Sequence, residues 1–305
     1  MQYEIIKLRE AFPALATQSL DFLRRQRQTY SLEAGLAGTR AVYEEPTLTA
    51  YCPDNAPELE PDHTRPSVII CPGGSYQFVS SREAEPVAFA FVARGYNAFV
   101  LNYSVAPEHY PVALLQLAAS VALLRQRASF FHVNLNAVAV AGFSAGGHLA
   151  ACMGTLWNQP WVAAQLGLHV EDIRPNGLIL CYPVISLTQF CHVKSVDSLL
   201  GSSADDVQKT SLSLDERVTH DTPPTFLWHT VADPVVPVEN SLLLANALQA
   251  HRVPFELHIY PKGGHGLSLC TAETARGDDT NINPHCATWL SLCDQWLHLV
   301  FSSYF

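Results

Sequence analysis

Short apolar runs recur along this chain, and the stretches between them are long enough for one helix each. That rhythm limits the fold more than any other feature. Ser67 to Cys71, Asn97 to Leu101, Ala137 to Ala141, Gly177 to Cys181 and Thr225 to His229 are mostly continuous in their apolar residues, as strands covered on both faces require, and Phe255 to Tyr260 closes the series. Helix-like segments fill the gaps: Ser81 to Arg94, stopping at Gly95; Val112 to Arg127, opening after Pro111; Gly147 to Trp157; Val238 to His251; and about Pro284 to Phe301. Strands alternating with helices predict an α/β chain, a mainly parallel central sheet with helices on both faces. Upstream, Leu48 to Tyr51 alternates weakly and reads as an edge strand, and the proline-rich, acidic stretch Pro53 to Pro66 reads as a loop.

One segment breaks the rhythm. Pro183 to Thr222 holds several short helix-like pieces between two strands. Long ordered insertions of this kind tend to be functional. We therefore expect a single domain over residues 1–305, with 183–222 inserted as a small cap over the C-terminal edge of the sheet.

Composition narrows the function classes. At 305 residues and 48% hydrophobic, the chain can bury a large core. A formal charge of −10 with no Lys/Arg block argues against nucleic acid as a partner. Charges interrupt the first residues too early for a signal peptide, and no stretch approaches the length of a membrane span, so a cytoplasmic location is expected. The eight cysteines form no C-x-x-C pair, and Cys71, Cys152 and Cys181 sit in apolar runs, so we expect reduced structural thiols rather than a metal or redox site. Oligomeric state is left open.

The chemistry-bearing motif is Gly142-Phe143-Ser144-Ala145-Gly146, between an apolar strand and a helix. At such a turn the Ser144 hydroxyl projects off the end of the sheet, and the small flanking residues let the backbone reverse tightly. A serine hydroxyl is a weak nucleophile without a base. Catalytic groups of an open parallel sheet gather at the carboxyl ends of its strands, so the partners should follow later strands. Asp233 follows the strand ending at His229, and His265, among glycines, follows the strand ending at Tyr260. The order Ser, Asp, His fits a triad in which His265 takes the Ser144 proton and Asp233 orients His265. The rival acids Asp197, Asp205, Asp206, Asp215 and Glu216 fall in the insertion, and Glu239 on a helix. Among thirteen histidines, His148 reads as a packing or hydrogen-bonding residue on the helix after Ser144, and His229 as a structural residue bordering the site. The turn Pro72-Gly73-Gly74-Ser75-Tyr76 after the first long strand offers small residues whose amides can point into the cavity; Gly74, Ser75 and Ala145 are the expected oxyanion donors. Tyr76 and Phe78 are candidates to line the acyl or alcohol pocket, with packing under the loop as the alternative.

Four motifs together resemble an α/β-hydrolase of the esterase/lipase group, on the hormone-sensitive-lipase-like and acetyl-esterase branch. They are Pro72 to Tyr76, Asn102-Tyr103-Ser104-Val105-Ala106-Pro107-Glu108, Gly142 to His148, and the Asp233/His265 pair, covering about Ser67 to Leu269. The family's usual His-Gly-Gly-Gly stands here as Pro72-Gly73-Gly74-Ser75. Gly-Phe-Ser-Ala-Gly-Gly-His-Leu-Ala is similar to bacterial acetyl esterases and acetylxylan esterases. The resemblance implies a serine esterase for short-chain acyl esters, acetylated sugars included, working through an acyl-enzyme on a small-molecule substrate with no metal or organic cofactor. A lipase for longer chains and a peptidase of the prolyl-oligopeptidase type share fold and triad; the peptidases usually carry a propeller domain, for which this chain has no room. A binding protein on the same fold would typically lack a triad member.

Overall fold

The computed structural model of the chain describes residues 1–15, 45–58, 60–277 and 279–302. Its frame is one sheet built from β1 (Gln2–Lys7), β2 (Thr47–Cys52), β3 (Arg65–Cys71), β4 (Asn97–Asn102), β5 (Val133–Phe143), β6 (Gly177–Cys181), β7 (Thr225–Thr230) and β8 (Phe255–Tyr260). The spatial order is β1-β2-β4-β3-β5-β6-β7-β8. β2 runs antiparallel to both β1 and β4, and every pairing from β4 across to β8 is parallel. The α/β architecture with its mainly parallel sheet is thus the one expected.

The strands read as continuous apolar runs because both faces are covered. Along β3, Ile69 and Cys71 enter one core while Val68 and Ile70 enter the other. The first core takes buried residues of Val112–Gln126 and Ala145–Leu156, the second those of Glu85–Val92 and Trp289–Val300. We label the helices α1 (Glu85–Val92), α2 (Val112–Gln126), α3 (Ala145–Leu156), α4 (Val193–Leu200), α5 (Asp206–Ser211), α6 (Glu239–Ala250) and α7 (Trp289–Val300).

Two expectations are corrected. β2 is not an edge strand, because β1 pairs along its outer side from Gln2↔Cys52 to Lys7↔Thr47. β1 escapes a reading by hydrophobic alternation because it alternates the wrong way: Tyr3 and Ile5 face outward, while Glu4 turns toward Arg127, which donates to its two carboxylate oxygens at 2.8 and 2.9 Å. The helix expected over Ser81 to Arg94 is broken. Ser81–Glu83 is a single 3-10 turn, Ala84 departs from helical geometry, and α1 starts afresh with Pro86 in its first turn. Proline has no N–H to give to an upstream carbonyl, so it belongs at a helix start rather than inside one.

The insertion between β6 and β7 carries α4, α5 and a 3-10 turn at Leu214–Glu216. It is tied to the body at several points: the Ile185 amide donates to Asn240 Oδ1 at 2.9 Å, and the Tyr110 amide to Leu199 O at 2.9 Å. All eight cysteines are free thiols. Among the described residues no helix is long and apolar enough to cross a membrane.

Candidate active site

Ser144 sits at the tip of the turn between β5 and α3, with φ +54°. A side chain at positive φ is strained by roughly 1–3 kcal/mol, so the surroundings must enforce it. They do so through close approach. A Cβ on Gly142 would lie 2.2 Å from Gly146 O, and one on Gly146 would lie 2.1 Å from Cys71 O. Only glycine lets the turn close on itself and on β3 at these two points. The backbone of Ser144 is pinned as well. Its amide donates to Cys181 O at 3.0 Å, and its carbonyl accepts from the amides of His148 and Val184 at 3.2 and 3.1 Å.

The carboxyl ends of β7 and β8 deliver the next two side chains. The Ser144 hydroxyl donates to His265 Nε2 over 2.7 Å, and His265 Nδ1–H donates to Asp233 Oδ2 over 2.6 Å. Asp233 is buried, and its other oxygen, Oδ1, accepts from the amides of Val235 and Val236 at 2.9 and 3.0 Å. Burial alone would raise its pKa. Hydrogen bonds from His229 and His265, with the Val235 amide, outweigh burial and hold the carboxyl well below the usual range. Asp233 therefore stays ionised beside the imidazole, and Nε2 is left as the acceptor for the serine proton.

His229 does more than border this arrangement. It is fully buried; its Nε2–H donates to Val236 O at 3.0 Å and lies 3.4 Å from Asp233 Oδ2, while Nδ1 accepts from the Ser241 hydroxyl on α6 at 2.8 Å. His192, on the insertion, also lies near. Burial, and next the proximity of His265, lowers its pKa, and its Nδ1 meets Ser195 Oγ at 2.8 Å.

The loop after β3 lies against the serine turn, since a Cβ on Gly73 would come within 2.9 Å of Ser144 Cβ. Gly74 (φ +132°), Ser75 (φ +58°) and Tyr76 (φ +56°) all take left-handed conformations, and Gly74 O is held by the amides of Gln77 and Phe78 at 2.8 and 3.2 Å. The Gly73 amide is committed to Glu83 Oε2 at 2.8 Å. Ala145 is the first residue of α3, where an amide has no acceptor within the helix. Gly74, Ser75 and Ala145 thus remain the candidate oxyanion donors.

Tyr76 does not stand free in a pocket. It is 3% exposed, packs edge-on against Tyr103 and His148, and its hydroxyl donates to His148 Nδ1 at 3.0 Å, which is the packing alternative. Phe78 is half-buried, its carbonyl closing the turn over Gly74. His148 in turn donates from Nε2 to Leu212 O of the insertion at 3.0 Å, and burial lowers its pKa to about 4, so it is a neutral structural link. Sequence reasoning passed over Glu83 and Tyr182. Glu83 is 3% exposed and accepts from the Tyr182 hydroxyl at 2.7 Å. The one sequence signal for it was Pro86, which ends the preceding turn. Among the described residues, no group of three or more His, Cys, Asp or Glu is placed to hold a metal ion.

With the geometry in view, comparisons with known proteins converge. The BD-FAE family model matches residues 54–248. Endo-1,4-beta-xylanase B of Butyrivibrio fibrisolvens is 35% identical over 76% of this chain and 36% of its own length. The acetylxylan esterase of Xylanibacter ruminicola is 29% identical over 67% of this chain and 42% of its own. The chain therefore spans less than half the length of these curated relatives. Among solved structures, the acetyl ester-xyloside bifunctional hydrolase of Caldicellulosiruptor lactoaceticus has a TM-score of 0.72 at 37% identity, covering 91% of this chain and 93% of that one.

Proposed function

The chain belongs to the BD-FAE family of α/β-hydrolases, and from that premise we propose that it is a serine carboxylic-ester hydrolase for short-chain acyl esters, acetyl esters of carbohydrates foremost. The observation that carries the reading is the unbroken chain of short contacts, 2.7 Å from Ser144 Oγ to His265 Nε2 and 2.6 Å from His265 Nδ1 to Asp233 Oδ2. The acetyl preference draws on the names of the relatives, an acetylxylan esterase and an acetyl ester-xyloside hydrolase among them.

Ser144 Oγ attacks the acyl carbon while His265 Nε2 takes the hydroxyl proton. The carbonyl π electrons move onto oxygen, where the amides of Gly74, Ser75 and Ala145 receive the negative charge. Asp233 stabilises the imidazolium. Collapse of the tetrahedral species breaks the bond to the alcohol oxygen, which leaves with the proton from His265 as the acyl-enzyme forms. Water then attacks the acyl carbon, giving its proton to His265, and the second collapse releases the acid and restores Ser144. In this reading the 183–222 segment is a small cap within a single 1–305 domain, and His192 approaches the site from it.

The test is a series of p-nitrophenyl esters from acetate to decanoate alongside acetylated xylo-oligosaccharides. Turnover should be highest on acetate and fall with acyl length, and acetate should be released from the oligosaccharides. Ser144→Ala should lower kcat by on the order of 10³-fold or more with the fold intact. Full turnover by that variant would refute the assignment; preference for decanoate would replace the short-acyl esterase with a lipase.

A further inference from the structure

We propose that Glu83 is a positioning residue for this hydrolysis, its carboxylate holding the Gly73–Ser75 amide loop in fixed register with the loop that carries His265. The inference deepens the esterase reading and rests on it.

Glu83 ends the 3-10 turn that replaces the first part of the expected helix, and it is 3% exposed. Its two oxygens serve two different loops. Oε2 accepts from the Gly73 amide at 2.8 Å, and Oε1 accepts from the Tyr182 hydroxyl at 2.7 Å. The Tyr182 hydroxyl in turn accepts from the Ser268 amide at 2.9 Å, and its ring packs edge-on against the His265 imidazole with centroids 5.1 Å apart. Burial, and next the charge of Glu83, keeps the Tyr182 proton on the phenol, so Tyr182 is a donor to the carboxylate. The neighbouring Arg82 grips the same histidine loop: Nη2 donates to Gly266 O at 2.9 Å, Nε to Thr274 O at 2.6 Å, and Arg82 O accepts from the Ser268 hydroxyl at 2.7 Å. One short turn therefore fixes the backbone on both sides of the serine.

A buried carboxylate is costly unless its oxygens are satisfied, and here each oxygen is taken by a donor from a different strand end. An apolar residue of the same volume would fill the space but accept from neither. The arrangement also decides which amides are free. With Gly73 N–H committed to Glu83, the loop can present only the later amides to the substrate. Without that anchor, a Gly-Gly pair is free to rotate, and a donor displaced by about 1 Å forfeits much of its effect on the transition state.

The experiment compares the wild type with Glu83→Gln and Tyr182→Phe on p-nitrophenyl acetate, measuring kcat and KM, the Ki of a trifluoromethyl ketone that forms an oxyanion adduct, and Tm. Glutamine keeps the shape but turns an N–H₂ group toward one of the two donors. The expected result is a roughly 10- to 100-fold fall in kcat for Glu83→Gln with KM changed by less than about threefold, somewhat below the effect of removing a donor outright. The Ki should rise by the same factor as kcat/KM falls, and Tyr182→Phe should follow the same line with a smaller loss. Unchanged kcat/KM in a folded Glu83→Gln enzyme would overturn the proposal, as would a loss of kcat/KM at constant Ki. If Glu83→Gln does not fold, Tyr182→Phe decides alone, and unaltered inhibitor affinity overturns the role. Insensitive variants of an active wild type leave the esterase reading standing, whereas an inert wild type removes both.

Discussion

His148 should make this protein lose stability in mild acid, and the loss can be worked out in advance. The side chain is fully buried, with Nδ1 accepting from Tyr76 and Nε2 donating to Leu212 O, both at 3.0 Å. Burial is the main cause that lowers its pKa from 6.5 to about 4, against a smaller opposing effect of the Leu212 carbonyl. Above the unfolded value neither state binds a proton, and the stability is fully present. As pH falls from 6.5 toward 4 the unfolded chain takes up a proton that the folded one refuses, so stability drops by about 1.4 kcal/mol per pH unit. Between about pH 7 and about pH 5 this amounts to about 2 kcal/mol, a large share of a typical domain's stability. Urea denaturation followed by tryptophan fluorescence, on wild type and His148→Gln at both pH values, isolates the effect. The substitution has its own cost at every pH. Other groups titrate alike in both proteins, so only His148 contributes to the difference between the two pH dependences. Wild type should lose about 2 kcal/mol more than the variant over this interval. Parallel pH dependences would refute the claim that a buried neutral imidazole joins the Tyr76 loop to the insertion.

Three further outcomes are open to direct measurement. Gly146→Ala would press a methyl group to within 2.1 Å of Cys71 O and 2.4 Å of Pro72 O, both backbone atoms, so urea denaturation should report a loss of about 1–3 kcal/mol or more, and an unchanged midpoint would contradict the close approach. His229→Phe removes the N–H that lies 3.4 Å from Asp233 Oδ2; kcat should fall by roughly tenfold, less than for loss of a triad member, and wild-type kcat would mean that the Val235 and Val236 amides suffice to hold Asp233. The same variant should also show a weaker acid dependence of stability. The depressed pKa of Asp233 contributes stability that is present above the ordinary carboxylate value and lost as pH falls below it, so with the His229 donor gone there is less to lose, and in a pH series the Tm of the variant should fall less on acidification than that of the wild type.

Much of this architecture was legible in order and type. The runs at Ser67–Cys71, Asn97–Leu101, Gly177–Cys181 and Phe255–Tyr260 became β3, β4, β6 and β8 with little change of bounds. The turn chemistry around Ser144 could be read because it is local, with glycines two residues either side and a helix start immediately after. What could not be read was whatever a distant partner determines. The first residues carry no strand pattern of their own until β2 gives β1 a ladder, and Glu4 becomes a sensible inward residue only with Arg127 opposite. The helix over 81–94 looked continuous until Pro86 was seen to open α1 rather than sit inside a longer helix. For Tyr76 the sequence leaves pocket lining and packing equally open, and its hydroxyl bond to the distant His148 is a contact no local pattern encodes.

The division has a physical cause. Periodicity, proline and glycine act within a few residues, so the identity of the strands, the position of the nucleophile turn and the order of serine, aspartate and histidine are written along the chain. Convergence is a different matter. Glu83 reaches Tyr182 across 99 positions and Ser144 reaches His265 across 121. No local pattern encodes which buried hydrogen bonds those separations close, because each depends on how eight strands register against one another. Packing alone decided that a glutamate in an unremarkable turn should stand behind the amide loop, and that His229, rather than solvent, should meet Asp233 Oδ2 beside His265.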